Sequence, residues 1–128
     1  MKPFRYPRTA AFADSDAAGV IHFSRLLCFV EEAEHAWLAA QGMPVDLRRP
    51  EALHWPRAAV QAEFLGAAYP GEALEVVLTL SRRGARSLHW TWEIVRGAEP
   101  LARGTLVTVC CLPDGQGGLR SVPLPMEA

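Results

Sequence analysis

The chain has 128 residues and a mass of 14.0 kDa, which suits one domain spanning 1–128 and leaves no room for a second. Half of the residues are hydrophobic and 21% are charged, a balance that excludes a disordered chain. Thirteen Lys and Arg against fourteen Asp and Glu give a net charge of −1; this argues against a nucleic-acid partner, which needs a dense basic surface.

Phe4 to Phe12 reads as a first extended segment, with Pro7 marking an edge or a bulge. The small, polar stretch from Ala13 to Gly19 follows. Ser24 is the expected N-cap of a helix from Arg25 to Gln41. Leu26, Val30, Ala33 and Trp37 fall on one face of that helix, and Leu27, Phe29 and Ala36 widen the stripe. Gly42 and Pro44 end it.

Beyond Pro50 the period changes to two. Ala58, Val60, Ala62 and Phe64 form one alternating set; Leu74, Val76, Leu78 and Leu80 a second; Leu88, Trp90, Trp92 and Ile94 a third. Leu101 to Leu112 is a fourth β-rich run. Tyr69-Pro70-Gly71, Arg83-Gly84 and Gly97 to Pro100 supply the turns. The segment 113–128, rich in Gly and Pro, is expected to be a loose C-terminal tail.

The predicted order is thus one strand, one long helix and four strands. One helix covers only one face of a five-stranded sheet, so the sheet is expected to curl around it in an α+β fold. Val77, Val107 and Val109 place apolar residues on the other face, and an obligate homo-oligomer, dimer or tetramer, is expected from this.

No stretch approaches the ~20 apolar residues of a membrane helix, and no apolar run follows Lys2, Arg5 and Arg8 as a signal peptide would require. Cys28, Cys110 and Cys111 lack metal-type spacing and read as reduced packing residues of a cytoplasmic protein, the last two pointing to opposite faces. His22, His35, His54 and His89 are scattered, and Asp14 with Asp16 has no further ligands nearby. No serine elbow or Gly-rich dinucleotide loop is present. Neither a metal nor a bound cofactor is expected.

The run Asp14-Ser15-Asp16-Ala17-Ala18-Gly19-Val20-Ile21-His22-Phe23, followed by the helical Glu32-Ala33-Glu34-His35-Ala36-Trp37-Leu38, resembles the signature of hotdog-fold acyl-CoA thioesterases. The likeness is to the 4-hydroxybenzoyl-CoA thioesterase family, in the branch whose aspartate precedes the central helix. Trp55 to Phe64 and Pro70-Gly71-Glu72 resemble that family's second strand and turn. Within it, Phe23 after Val20-Ile21-His22 is most similar to the 1,4-dihydroxy-2-naphthoyl-CoA hydrolases of phylloquinone synthesis in cyanobacteria. His22 departs from the pattern, where Tyr or Trp is usual.

The resemblance implies a hotdog fold, a curved antiparallel five-stranded sheet wrapped around one long helix, and hydrolysis of an aromatic acyl-CoA. Spacing alone lets Asp14 and Asp16 be a turn; the resemblance makes Asp16 the catalytic carboxylate, as nucleophile or general base. Gly19 would let the backbone approach the ligand, and the Phe23 N–H, in the first helical turn, would polarise the thioester carbonyl. By the same likeness, Glu31 stands where the 4-hydroxybenzoyl enzyme keeps an acid against the ring hydroxyl; a solvated helix face is the alternative. Arg82, Arg83 and Arg86 cluster at one turn and suit the phosphates of coenzyme A, or form a plain basic turn. Two other readings stay open: a broader short-chain or benzoyl-type thioesterase, and a non-catalytic acyl-binding module on the same fold.

Overall fold

The period-two segments pair into one antiparallel sheet because each carries an apolar face that only the helix can cover. The computed structural model describes residues 2–125. Its elements are β1 (Phe4–Thr9), α1 (Phe23–Ala40), β2 (Arg57–Phe64), β3 (Ala73–Arg83), β4 (Ser87–Arg96) and β5 (Glu99–Val109), then the short β6 (Cys111–Pro113) and β7 (Leu119–Ser121). The five long strands lie in the order β1-β3-β4-β5-β2, and every pairing is antiparallel. One helix packed on a five-stranded antiparallel sheet is the hotdog architecture the sequence resemblance implies. Pro7 sits in the edge strand β1, where its missing N–H costs no ladder bond.

The core lies between α1 and one sheet face. Leu26, Phe29, Val30, Ala33, Trp37 and Leu38 of the helix meet Leu74, Val76, Leu78 and Leu80 of β3 and Leu88, Trp90, Trp92 and Ile94 of β4, all buried. Each large side chain buried in this way stabilises the fold by about 1.5–3 kcal/mol. Trp37 and Trp90 meet edge to face, with ring centroids 4.8 Å apart.

Four expectations need correction. The N-cap is His22 rather than Ser24: His22 has extended backbone angles and its ring Nδ1 accepts the Ser24 N–H at 3.2 Å, so the helix begins at Phe23. The first strand ends at Thr9, and a 3-10 turn at Phe12–Asp14 takes the chain away. The fourth run breaks at Cys110, whose N–H turns to the Arg86 carbonyl at 2.8 Å; Cys111 therefore joins a separate ribbon, and both thiols are buried. The tail is not loose up to residue 125. β6 and β7 pair, Val122 is buried, and the Arg86 guanidinium donates to the Ser121 carbonyl at 2.6 Å. Residues 126–128 lie outside the described residues.

The outer face of the sheet is also more polar than expected. Val77 shares a shallow depression there with Gln61, Glu63, Thr79, Thr91 and Glu93. The exposed apolar surface lies elsewhere, along β2 and the start of α1. All eight residues of β2 are exposed, and Phe23, Val60, Phe64 and Leu65 are the large apolar side chains left uncovered there. α1 does not reach over this strand. β2 approaches β5 closely opposite Gly104, where any Cβ would stand 1.8 Å from the Gln61 carbonyl oxygen.

Candidate active site

The turn before α1 is a tight loop. The Asp16 N–H donates to the Val20 carbonyl at 2.8 Å and the Gly19 N–H to the Asp16 carbonyl at 3.0 Å, while Ser15 bridges Ile21. Gly19 has φ of +82°, a conformation that L side chains resist, so the loop geometry requires it. Asp14 and Asp16, two residues apart on this loop, differ in every respect.

Asp14 is buried. Its carboxylate accepts the Ala11 N–H at 2.9 Å, Arg25 Nε at 2.9 Å and Arg8 Nη1 at 3.2 Å. Burial pushes its pKa up, but the Ala11 N–H and the Arg25 and Arg8 charges outweigh this and hold it below the usual carboxylate range. Asp16 is only half-buried. One of its oxygens accepts the Ala18 N–H at 2.8 Å, and the other has no hydrogen-bond partner among the described residues. A carboxylate fixed through one oxygen and open at the other suits a base or nucleophile.

Phe23 is the first helical residue, so its N–H has no acceptor within α1. Its ring is exposed and meets Phe64 of β2 edge on, with centroids 6.0 Å apart. The N-terminal end of α1 and the C-terminal end of β2 therefore flank one opening. Farther along, a cleft of about 260 Å³ lies between helix and strand, lined by Leu27, Val30, Glu31, Arg57, Val60 and Leu106. Leu27 and Glu31 stand roughly 6 and 12 Å along the helix axis from Phe23, at 1.5 Å per residue. The cleft thus lies one to two helical turns beyond the first-turn N–H.

The mid-helix glutamates divide. Glu32 turns toward β1, where it accepts from Tyr6 Oη at 3.1 Å and Arg8 Nε at 2.8 Å. Glu31 turns toward β2 and lies 3.3 Å from Arg57 Nη2. Arg82, Arg83 and Arg86 surround the β3–β4 turn, as expected. Arg82 meets His89 at 3.1 Å, and Arg86 holds the tail at Ser121. This turn is at the far end of β3 from the Asp16 loop, which adjoins Ala68 and Glu72 through the Ile21 and Ala10 amides. The eleven residues of β3 separate the two by roughly 33 Å at about 3.3 Å per residue. No group of His, Cys, Asp and Glu able to hold a metal occurs among the described residues, and no described helix is long and apolar enough to cross a membrane.

The family profile described as "Thioesterase-like superfamily" matches residues 10–128. The chain belongs to this family. Among its relatives, the 1,4-dihydroxy-2-naphthoyl-CoA hydrolase of Thermosynechococcus vestitus is 35% identical over 94% of this chain and 82% of its own length. The hydrolase of the same name from Synechocystis is 30% identical over 98% and 91%. In structure, a 1,4-dihydroxy-2-naphthoyl-CoA thioesterase from Synechocystis superposes with a TM-score of 0.84 at 27% identity, covering 97% of this chain and 90% of its own. The 4-hydroxybenzoyl-CoA thioesterase of a Pseudomonas strain shares the fold, with a TM-score of 0.84 at 17% identity over 98% and 95%.

Two residues of this thioesterase escaped the sequence reading. Glu34 is fully buried and pairs with the Arg57 guanidinium from the first residue of β2. Burial pushes the Glu34 carboxyl above its ordinary range, although Arg57 opposes the shift. The signal was present, since Glu34 interrupts the apolar stripe between Val30 and Leu38 at four-residue spacing on each side.

Proposed function

We propose that the protein hydrolyses an aromatic acyl-CoA, 1,4-dihydroxy-2-naphthoyl-CoA, to the free acid and CoA. The observation that carries the chemistry is Asp16, half-buried with one carboxylate oxygen unpartnered on the loop that leads into the Phe23 amide. The identity of the acyl group rests on the printed names of relatives that match nearly the whole chain.

In this reading the thioester carbonyl oxygen accepts the Phe23 N–H, which stabilises the negative charge that develops as the carbonyl carbon becomes tetrahedral. Water adds to that carbon and gives its proton to Asp16, and the C–S bond then breaks to release the CoA thiol, which takes the proton back. Direct attack by the Asp16 carboxylate, with water hydrolysing the resulting anhydride, gives the same products. Water is the only co-reactant, and no metal or cofactor takes part. The aromatic group follows the cleft between α1 and β2, past Leu27 toward Glu31. Gly19 keeps the loop shape that aims Asp16.

Arg82 and Arg83 bind the CoA phosphates in this reading, and the site is shared between copies. Within one chain these arginines and Asp16 occupy opposite ends of the sheet. β2 is an open edge with all eight residues exposed, so antiparallel pairing of two copies of β2 would form a dimer and cover Phe64 and Val60. The twofold axis would then carry the partner's arginine turn to the end where Asp16 lies. A tetramer would use the outer sheet face. The three free thiols fit a cytoplasmic setting.

The test is turnover of a matched panel: 1,4-dihydroxy-2-naphthoyl-, 4-hydroxybenzoyl-, benzoyl- and hexanoyl-CoA, with CoA release as the readout. The naphthoyl ester should have the highest kcat/KM. Equal rates across the panel would support a broad-range thioesterase, and no release from any ester would support a binding module.

A further inference from the structure

A helix leaves its first four amide N–H groups without acceptors of its own, and in α1 one residue takes part in satisfying three of them. The His22 N–H donates to the Asp14 carbonyl at 3.0 Å, the Ser24 N–H to the His22 ring Nδ1 at 3.2 Å, and the Arg25 N–H to the His22 carbonyl at 2.9 Å. The remaining one, the Phe23 N–H, has no acceptor among the described residues. These bonds assign the tautomer of the ring. A neutral imidazole has a single acceptor nitrogen. Here Nδ1 meets both the Ser24 amide and, at 2.7 Å, the Ser24 hydroxyl, so the ring proton sits at Nε2. The ring also lies against that of Phe23, with centroids 4.6 Å apart and planes inclined by 32°. His22 thus ties the loop that carries Asp14 and Asp16 to α1 through its backbone, and closes the first turn through its ring.

We infer that His22 is a positioning residue for the reaction: by taking up the Ser24 amide, its ring holds the first turn of α1 so that the Phe23 N–H is the one open donor there for the thioester carbonyl. The inference rests on the proposed reading in which that N–H stabilises the oxyanion, and goes beyond it by naming the side chain that aims the donor. An oxyanion donor acts only when it stands at hydrogen-bond distance from the point where charge develops, and a helix start without its cap is weakened. Loss of the Nδ1 acceptor has two effects at the same place. The Phe23 N–H loses its fixed direction, and the Ser24 N–H becomes a second open donor beside it. Both disturb the transition state more than the bound ester, so the loss falls on kcat and spares KM. The bond from the His22 N–H to the Asp14 carbonyl keeps this donor in a fixed relation to the Asp16 loop.

Two substitutions separate the acceptor from the ring. His22→Phe keeps an aromatic ring beside Phe23 and removes the acceptor. His22→Asn removes the ring and restores a short acceptor of the kind favoured at a helix N-cap. Turnover of 1,4-dihydroxy-2-naphthoyl-CoA is measured in the full chain, well below the melting temperature of each variant. With His22→Phe, kcat should fall by about ten- to a hundredfold, the range for displacing a positioned group, and KM should stay within about threefold of native. His22→Asn should stay within about threefold of native in both. The second readout is the infrared stretch of the thioester carbonyl, isotope-labelled, in the same ester bound to the Asp16→Asn variant; this frequency falls when the oxygen accepts a hydrogen bond. The fall on binding should shrink when His22→Phe is added and persist when His22→Asn is added. A native kcat in His22→Phe overturns the assignment. So do equal losses in the two variants, which mark a general folding defect, and a carbonyl shifted equally in all three proteins. No shift even with His22 in place overturns the Phe23 reading itself, and the role of His22 with it. If no ester is hydrolysed, the thioesterase reading fails, and the bound-carbonyl shift still decides whether His22 aims the Phe23 donor.

Discussion

The two flanks of α1 treat their charges in opposite ways. Toward β1, Asp14, Glu32, Arg8, Arg25 and Tyr6 form a network in which both carboxylates have several donors, and Arg8 also stacks 4.2 Å over the Phe29 ring. Toward β2, the buried Glu34 has only Arg57 and Thr108 beside it, and Arg57 borders an open cleft. A satisfied network fixes structure, since every group in it would lose a partner on opening. A pair at the rim of a cavity keeps its outer member, here Arg57, within reach of whatever enters. The same contrast recurs within one loop, between the enclosed Asp14 and the open Asp16.

The largest expected effect separates those two aspartates. Asp16→Asn keeps the size and the Ala18 contact but removes the charge, so kcat should fall by ~10²–10⁴-fold with an unchanged melting temperature. Asp14→Asn should do the reverse. It disrupts a buried ion pair and should cost about 2–3 kcal/mol, seen as a Tm several degrees lower, with kcat of the folded fraction within a few-fold of native. Equal losses of activity at both positions would erase the distinction and move the chemistry away from Asp16.

A pH series of urea melts sharpens the comparison of the flanks. The folded pKa of Asp14 lies below its usual 3.8, so its stabilisation is present above that pH and is lost as pH falls through the folded value. The folded pKa of Glu34 lies above its usual 4.5, so its ionisation works against folding and stability declines as pH rises from 4.5 through the folded value. Asp14→Asn should flatten the acid limb, and Glu34→Gln should remove the decline on the other side. The smallest effect is expected at the remote turn. Arg83→Ala should raise KM for CoA esters several-fold with little change in kcat, because such contacts bind ground and transition states alike. A thioester of pantetheine, which lacks those phosphates, should show no difference.

Most of the architecture was legible in the sequence because burial enforces it. The period-two runs gave β2, β3 and β4 to within three residues, and Leu26, Val30 and Trp37 marked the face of α1 that meets β3 and β4. Asp16, Gly19 and Phe23 were singled out by the family resemblance, since spacing alone leaves Asp14 and Asp16 as two residues of one turn. The errors arose where non-local partners decide the outcome. Ser24 looks like a cap until the His22 ring takes the Ser24 amide. The tail looks loose until Ser121 meets Arg86, 35 residues away in sequence. Arg57 and Glu34, 23 residues apart, could be joined only once β2 was placed beside the helix, although the acid on an apolar stripe was itself a visible anomaly.

The glycine at position 104 has a consequence for motion. β2 joins the sheet through a single ladder, irregular between Arg57 and Ala59, and reaches its register only because Gly104 has no side chain to meet the Gln61 carbonyl. In a lone copy of the chain, a strand held on one side with no residue buried belongs to the least protected cooperative unit of the sheet. When it frays, the cleft loses Arg57 and Val60 together, while β1, β3, β4, β5 and the Asp16 loop keep their bonds. Fraying of this edge in a single copy opens the cleft between α1 and β2 and spares the Asp16 loop, so pairing of β2 with a second copy would steady the cleft as well as join the subunits.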